Sequence, residues 1–369
     1  MSFFSDSHII EVAEQFLLVG SYESFEVHGN GNVNDTYLLK YISKGNLKRY
    51  TLQRINHVIF KDPRGLMENF YRVTEHLQKK FENSNSEFQS LSLVRTRDQR
   101  FFHVDKDGNF WRVTKFIDGG RSFDVPKDLN QAYQAARSFG DFQFQLNDLP
   151  GESLVETIPD FHNTKLRFED FCGSVKRDSQ QRLILASDLV DFAFSREKLS
   201  NLISSTELPI RIVHNDTKLN NVLLHKTTGN GMCVVDLDTV MPGCVLHDFG
   251  DLVRTAACSA TEDEIDLSKV FFKSDTFEVI TEGYLETAGQ MLVKKEIEHL
   301  AISPLVITYE LGLRFLSDFL EGDIYFKTKY SDHNLDRAKV QFRLLASMED
   351  QLVEMKEIVR KISSLKVKA

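Results

Sequence analysis

The stretch IVHNDTKLNNVLLHKTTGNGMCVVDLDTVMPGCVLHDFGDL, residues 212–252, decides how the rest of the chain is read. Asp216 precedes Asn221 by five positions, and Asp236 follows at the end of the apolar run Met232–Val235. A loop carboxylate, an amide and a strand-end carboxylate, in that order, are the parts that phosphoryl transfer from a Mg²⁺-bound nucleotide requires. One carboxylate accepts the acceptor's hydroxyl proton, while an amide oxygen and a second carboxylate hold the metal between phosphate oxygens. On this reading Asp216 is the catalytic base, Asn221 and Asp236 are metal ligands, and Lys218 offsets charge on the transferred group. ATP and Mg²⁺ are the cofactors expected. Each part alone recurs by chance; the ordered set carries the argument. Asp238, two past Asp236 on the same strand, points to the same face, and two carboxylates on one face need a cation or a donor between them, which favours a metal site over core.

The pattern His214-x-Asp216-x-x-x-x-Asn221, with an Asp on the following strand, resembles the catalytic segment of the aminoglycoside phosphotransferase and choline kinase superfamily, relatives of the protein kinases. The tracts VHNDTKLNNVLL, VVDLDTVMPG and HDFGDLVR are more particular and resemble the bacterial N-acetylhexosamine 1-kinases. The resemblance implies an α+β, two-lobed, protein-kinase-like fold. A small antiparallel-sheet lobe for the nucleotide is expected over residues 1–118, and a larger, mainly helical lobe for catalysis and sugar binding over 119–369. It implies transfer from ATP to the anomeric C1 hydroxyl of GlcNAc or GalNAc, with Asp216 also touching the sugar. It further implies that His214 ties down backbone and that Asp248 and Asp251 orient the catalytic loop. The metal role belongs to Asp236, so the Asp248-Phe249-Gly250 string is not the protein-kinase motif of the same letters. Two rivals remain: a kinase for choline or an aminoglycoside, and a catalytically silent nucleotide binder.

Outward toward the N-terminus, residues 7–20 have helical apolar spacing. Residues 25–39 then read as strand, small-residue turn and strand. Gly29 and Gly31 let backbone N–H groups approach phosphate oxygens, and Asn32, Asn34 and Thr36 add short polar groups. An ordinary hairpin turn is the alternative, and Asn34 stands where the third glycine of Gly-x-Gly-x-x-Gly would be. On the strand beginning at Tyr50, kinases carry a Lys that holds the phosphates. Here Gln53 and Arg54 occupy the region, one on each face. Arg54 can grip phosphate bidentately, and which of the two faces inward stays open. In the helix from Pro63, Glu68 is the candidate partner for a strand cation, or else a solvated charge. Residues 79–90 read as a loop, and 109–117 as a hairpin strand after the turn at Asp105–Gly108. By resemblance, residues 116–118, with Phe116 and Asp118, meet adenine.

Toward the C-terminus, residues 128–146 form a long helix by their apolar repeat. Residues 150–167 form an irregular tract in which Asp160 and His162 are sugar-contact candidates or plain loop caps. Helices are expected over 275–288, 294–319 and 335–365. Glu310 and Arg314 stand at i, i+4 in an apolar helix. They form either an internal salt bridge worth about 0.3–0.5 kcal/mol or, as the resemblance implies, a polar pair that binds the sugar.

The 369-residue chain, 41% hydrophobic with 29 Phe, is long enough for two lobes with their own cores. A net charge of −9 argues against a nucleic-acid partner. No apolar run reaches membrane-span length, and the start lacks a basic n-region and cleavage site. A cytoplasmic monomer, whose partners are ATP and a small sugar, is therefore expected. Cys172, Cys233, Cys244 and Cys258 form no Cys-x-x-Cys pair, so reduced thiols are expected rather than a zinc site.

Overall fold

The computed structural model describes residues 4–28, 33–82 and 88–366. In chain order the elements are α1 (Asp6–Ala13), β1 (Ser21–Val27), β2 (Asp35–Ser43), β3 (Asn46–Ile55), α2 (Pro63–Glu82), β4 (Leu93–Val94), β5 (His103–Val104), β6 (Phe110–Lys115) and β7 (Gly120–Arg121). There follow α3 (Leu129–Leu146), α4 (Thr164–Arg177), α5 (Ser187–Phe194), β8 (Arg211–Val213), β9 (Val222–His225), β10 (Gly231–Val234), β11 (Met241–Gly243) and α6 (Val245–Ala256). Helices α7 (Ser274–Thr287), α8 (Lys294–His299), α9 (Ser303–Glu321), α10 (His333–Asp350) and α11 (Leu352–Lys366) complete the chain. The chain forms two compact units. One comprises residues 1–120, 148–159 and 232–241; the other comprises 121–147, 160–231 and 242–369.

The first unit is an antiparallel sheet in the order β1-β2-β3-β6-β4, with β5 also paired to β6. The β2–β3 hairpin closes at Lys44 and Gly45, both at positive φ, the two-residue turn whose twist matches the strands it joins. Strand alternation then sorts the side chains. Leu52 and Trp111 enter a core with Ile9, Val12 and Ala13 of α1, while Ile55 on the opposite face packs with Leu66 and Met67 of α2. Helix α1 is shorter than its apolar repeat, because Phe16 leaves it to bridge to Thr96. Helix α2 continues through Glu82, into the segment expected to be a loop.

The second unit is built from helices. Helix α3, capped by the Asp128 carboxylate on the Gln131 N–H, packs along α7. Helix α9 is buried along nearly its whole length among α4, α6 and α10, so its apolar residues are spread round the helix rather than confined to one stripe. Gly250 permits the α6–α9 approach: a Cβ there would lie 2.7 Å from the Ser303 carbonyl oxygen. The glycine of the Asp-Phe-Gly string is thus a packing residue. Two expected helices are interrupted: α8 stops at His299 before α9 begins, and α10 gives way to α11 at Gln351.

Candidate active site

In the second unit the loop of residues 214–221 leaves β8 and is held by one carboxylate. Asp248, on the first turn of α6 and 1% exposed, accepts the backbone N–H groups of His214 (2.7 Å) and Asn215 (2.6 Å) and the Gln143 side-chain amide (2.6 Å). Thr217 donates its hydroxyl back to the Asp248 carbonyl. His214 is buried edge-on to Phe139 and Phe142, and the Asp216 N–H points to its Nδ1 at 3.3 Å. These bonds hold Asn215 in the left-handed region, at φ 64°, which Asn tolerates better than most residues. Asp251 does not reach the loop. It pairs with Arg254 at 2.8 Å, because three residues along a helix turn its carboxylate toward that guanidinium instead.

Asp216, Lys218 and Asn221 come together. The Lys218 ammonium lies 2.7 Å from Asp216 Oδ2, and Asn221 Nδ2 donates to the same oxygen at 3.0 Å and to the Asp216 carbonyl at 2.8 Å. Burial pushes the Asp216 carboxyl up, but Lys218, with His214 and Asn221, outweighs it and holds the group below the usual carboxylate range. With its amide nitrogen committed to Asp216, Asn221 has its amide oxygen left for a hard cation.

In the first unit the chain does not continue β10 through Asp236. That residue takes φ 61°, and residues 237–239 form a tight turn, so Asp236 and Asp238 do not share a strand face. The cation that answers Asp238 is Arg112, a residue the sequence reading did not single out. Both are buried and paired, and Arg112 also donates to Gln53 Oε1 at 2.8 and 3.0 Å and stacks over Phe70 at 4.3 Å. Asn34 donates to the other Asp238 oxygen, and its own oxygen accepts the Asn56 N–H at 2.9 Å. Gln53 also donates to the Thr36 hydroxyl at 3.2 Å. Arg54 turns to the α1 face, where it pairs with Asp35 at 2.6 Å and lies over Phe4. The open question between Gln53 and Arg54 thus resolves by face: Gln53 is on the α2 side, and the cation beside it comes from the neighbouring strand. Gly29, Gly31 and Asn32 lie outside the described residues. Phe116 packs edge-on to His28 and under Arg49, which also pairs with Asp118.

Glu68 is exposed and meets neither cation; Asn69 is the inward polar residue of α2. It donates to the carbonyls of Val155 (2.8 Å) and Val240 (3.1 Å) and accepts the Val155 N–H. Replacing Glu68 by Ala should shift unfolding free energy by no more than about 0.5 kcal/mol. Asn69→Ala should cost about 1–3 kcal/mol, because it orphans buried backbone groups. Paired denaturant melts check the contrast, and an equal loss in both would refute it.

The third cluster is in the second unit. His162 Nδ1 lies 2.8 Å from Glu310 Oε1, and its Nε2 lies 3.0 Å from the Asn215 carbonyl. Thr164 donates to Glu310 Oε2 at 2.6 Å. Glu310 is fully buried with both oxygens engaged, so the sugar contact expected of it gives way to an internal role. The i, i+4 salt bridge to Arg314 does not form. The Arg314 guanidinium lies 5.4, 5.7 and 5.5 Å from the rings of Phe161, Tyr325 and Phe326. Asp318, one turn further, fixes two of those rings. Its carboxylate accepts the N–H groups of Ile324, Tyr325 and Phe326 and the Asn334 amide, all within 2.9 Å.

Residues 24–276 match the APH family, described as the phosphotransferase enzyme family. The match spans more than half of the chain. The chain belongs to this phosphotransferase family. Solved structures agree on the fold. Choline kinase from Cryptosporidium parvum Iowa II is 13% identical with a TM-score of 0.61, over 95% of this chain and 97% of that one. An aminoglycoside phosphotransferase from Alicyclobacillus acidocaldarius is 15% identical with a TM-score of 0.57, over 96% and 98%. An ADP-bound aminoglycoside phosphotransferase is 14% identical with a TM-score of 0.53, over 93% and 99%. The phosphotransferase therefore has the kinase-like α+β fold expected: an antiparallel sheet in its N-terminal part and helices in its C-terminal part.

In the phosphotransferase, among the described residues, no three His, Cys, Asp or Glu side chains cluster as a metal site. The four cysteines are free thiols. Among the described residues no helix is long and apolar enough to cross a membrane. A signal for Arg112 was present in the sequence, as a guanidinium inside the run Phe110-Trp111-Arg112-Val113. A charge in an apolar strand needs a buried partner, but sequence does not say that the partner lies 126 positions away.

Proposed function

We propose that this phosphotransferase is an ATP- and Mg²⁺-dependent kinase acting on the anomeric C1 hydroxyl of an N-acetylhexosamine, GlcNAc or GalNAc. Its products are the sugar 1-phosphate and ADP. The observation that carries the choice of acceptor is Arg314, a half-buried guanidinium set among Phe161, Tyr325 and Phe326. A fixed cation repels choline or an aminoglycoside and donates readily to a carbonyl such as that of an acetamido group. The rings offer apolar faces to the C–H side of a sugar.

In this reading Asp216 orients the C1 hydroxyl and takes its proton as the new O–P bond forms and the bond from the γ-phosphorus to the β-phosphate oxygen breaks. The anomeric hydroxyl is the most acidic on the sugar, so a carboxylate with a depressed pKa suffices as acceptor. Catalysis rests mainly on position and charge. Asn221 Oδ1 and the Asp236 carboxylate would hold Mg²⁺, which neutralises phosphate charge when bound. Lys218, now paired with Asp216, is available to the transferred group. Asn34, Thr36, Phe116 and Asp118, with Gly29, Gly31 and Asn32, are the proposed nucleotide contacts, and Arg54, turned to the α1 face and paired with Asp35, drops out of the set; the ADP-bound relative of the same fold supports a nucleotide as ligand. The protein acts as a monomer in the cytoplasm, with residues 1–118 serving the nucleotide and 119–369 catalysis and sugar.

The test is ADP release with Mg-ATP and GlcNAc, GalNAc, glucose, choline or an aminoglycoside, with phosphorus NMR to locate the phosphate. Turnover with the acetamido sugars and a C1 phosphate is expected. Turnover with choline or the aminoglycoside alone overturns the acceptor. Nucleotide binding without turnover overturns catalysis. Arg314→Leu should lower kcat/KM for GlcNAc by about 10- to 100-fold, the loss of one hydrogen bond to a charged group, through KM rather than kcat. An unchanged KM would remove Arg314 from the sugar.

A further inference from the structure

We propose that His162 is a positioning residue: a doubly donating imidazolium that ties the catalytic-loop carbonyl of Asn215 to the buried carboxylate of Glu310. The functional part rests on the reading of Asp216 as the base.

The argument is one of donors and acceptors. The two ring nitrogens face Glu310 Oε1 at 2.8 Å and the Asn215 carbonyl oxygen at 3.0 Å. A carboxylate and a carbonyl only accept, and a neutral imidazole has one N–H. Unless the pair retains its extra proton, an acceptor faces an acceptor at hydrogen-bond distance. Glu310 Oε2 is already taken by the Thr164 hydroxyl, and neither Glu310 nor His162 is open to water that would relieve the clash.

The charges around the ring favour the ionised pair. Helix α9 presents Glu310 and Arg314, α6 presents His247 and Asp251, and α4 presents the Thr164 hydroxyl, with its Arg167 bonded to the carbonyls of Asp160 and Phe161 just before the ring. Burial pushes His162 down, but Glu310, through charge and hydrogen bond, outweighs it and raises the ring above its ordinary value. Burial, with the His162 charge, pushes neighbouring His247 down to about 3, so it stays neutral 5.1 Å away. Burial opposes the Glu310 charge, yet His162 and Arg314 bring that carboxyl down to about 2.

The consequence falls on Asn215. Its N–H is held by Asp248 and its carbonyl by His162, which together fix a left-handed residue immediately before Asp216. Loss of the proton frees one end of that residue and lets the next peptide rotate. A folded-state pKa raised above the unfolded value of about 6.5 means the contact is complete below that value. It is lost as pH rises through the folded value.

Nitrogen-15 NMR of the full-length protein tests this first. Both His162 ring nitrogens should keep imidazolium shifts as pH is raised past about 6.5, where an unperturbed histidine loses its proton; neutral-tautomer shifts at or below that pH overturn the proposal. Kinetics test the consequence. His162→Gln keeps a donor but has no titrating proton, so the alkaline fall in kcat should flatten relative to wild type while KM for ATP stays put. Coincident pH profiles overturn the positioning role. Absence of turnover with every acceptor would sink the kinase reading alone. The NMR shifts, with amide exchange at Asn215 and Asp216 accelerating as His162 titrates, would still decide the contact.

Discussion

Asp216→Asn should cut phosphoryl transfer by orders of magnitude while the fold and nucleotide affinity persist. The substitution keeps the volume and one oxygen, and removes the carboxylate proposed to accept the acceptor's proton. A positioned general base contributes about 10²–10⁴-fold, so kcat should fall by about 10³. Stability should change little. The carboxylate's ion pair is with half-exposed Lys218, and pairs of that kind are worth about 0–1 kcal/mol. Asn221 can still donate to the Asp216 backbone carbonyl, which the substitution leaves in place. The measurement is single-turnover phosphate transfer beside calorimetric titration with ATP. Activity within tenfold of wild type would remove Asp216 from the proton's path. Loss of ATP binding would show that it holds the nucleotide instead. A comparison with Lys218→Met separates charge compensation from proton transfer: that variant should lose activity while its pH dependence moves, because Asp216 loses the cation that depresses its pKa.

How much of this could be read from the chain depends on distance along it. The loop from His214 to Asn221 is local: its residues are spaced by the turn that holds them, and the sequence order alone points to the cluster Asp216–Lys218–Asn221. The small sheet and the helical remainder were legible for the same reason, through alternation and apolar repeat. Failures came where a polar side chain chooses between partners far apart in sequence. Glu310 and Arg314 are spaced to pair, yet the buried carboxylate takes His162 and Thr164, because in the core a hydrogen-bonded partner on each oxygen outweighs one helix-face contact. Asp238 looked like a second metal carboxylate because a strand was assumed to run on. A left-handed residue at Asp236 breaks the alternation, and Arg112 supplies the charge. Glu68 and Asn69 are adjacent on α2, and a one-residue error in helix phase is enough to choose the exposed one.

The largest structural effect belongs to Asp248. Its carboxylate accepts three N–H donors, two from the loop backbone and one from Gln143, in a site only 1% exposed. Burial pushes its carboxyl above the usual range against the pull of those donors, so the donors are what make the charge tolerable. Asn in its place can accept through Oδ1, but its NH₂ must then face a backbone N–H at about the 2.6–2.7 Å now spanned by hydrogen bonds. Removing one side of a buried charged network costs about 3–5 kcal/mol, and Asp248→Asn should lose that much in denaturant unfolding. Catalysis should fall too, since His214 and Asn215 lose the anchor that sets the backbone before Asp216. Asp251→Asn is the control. Its carboxylate serves Arg254 rather than the loop, so it should destabilise through that buried pair while kcat of the folded fraction stays near wild type. Equal kinetic damage from the two would mean that α6 acts on the loop as a whole. A near-neutral Asp248→Asn would mean that Asp248 already carries a proton, and that a neutral acceptor is all the loop requires.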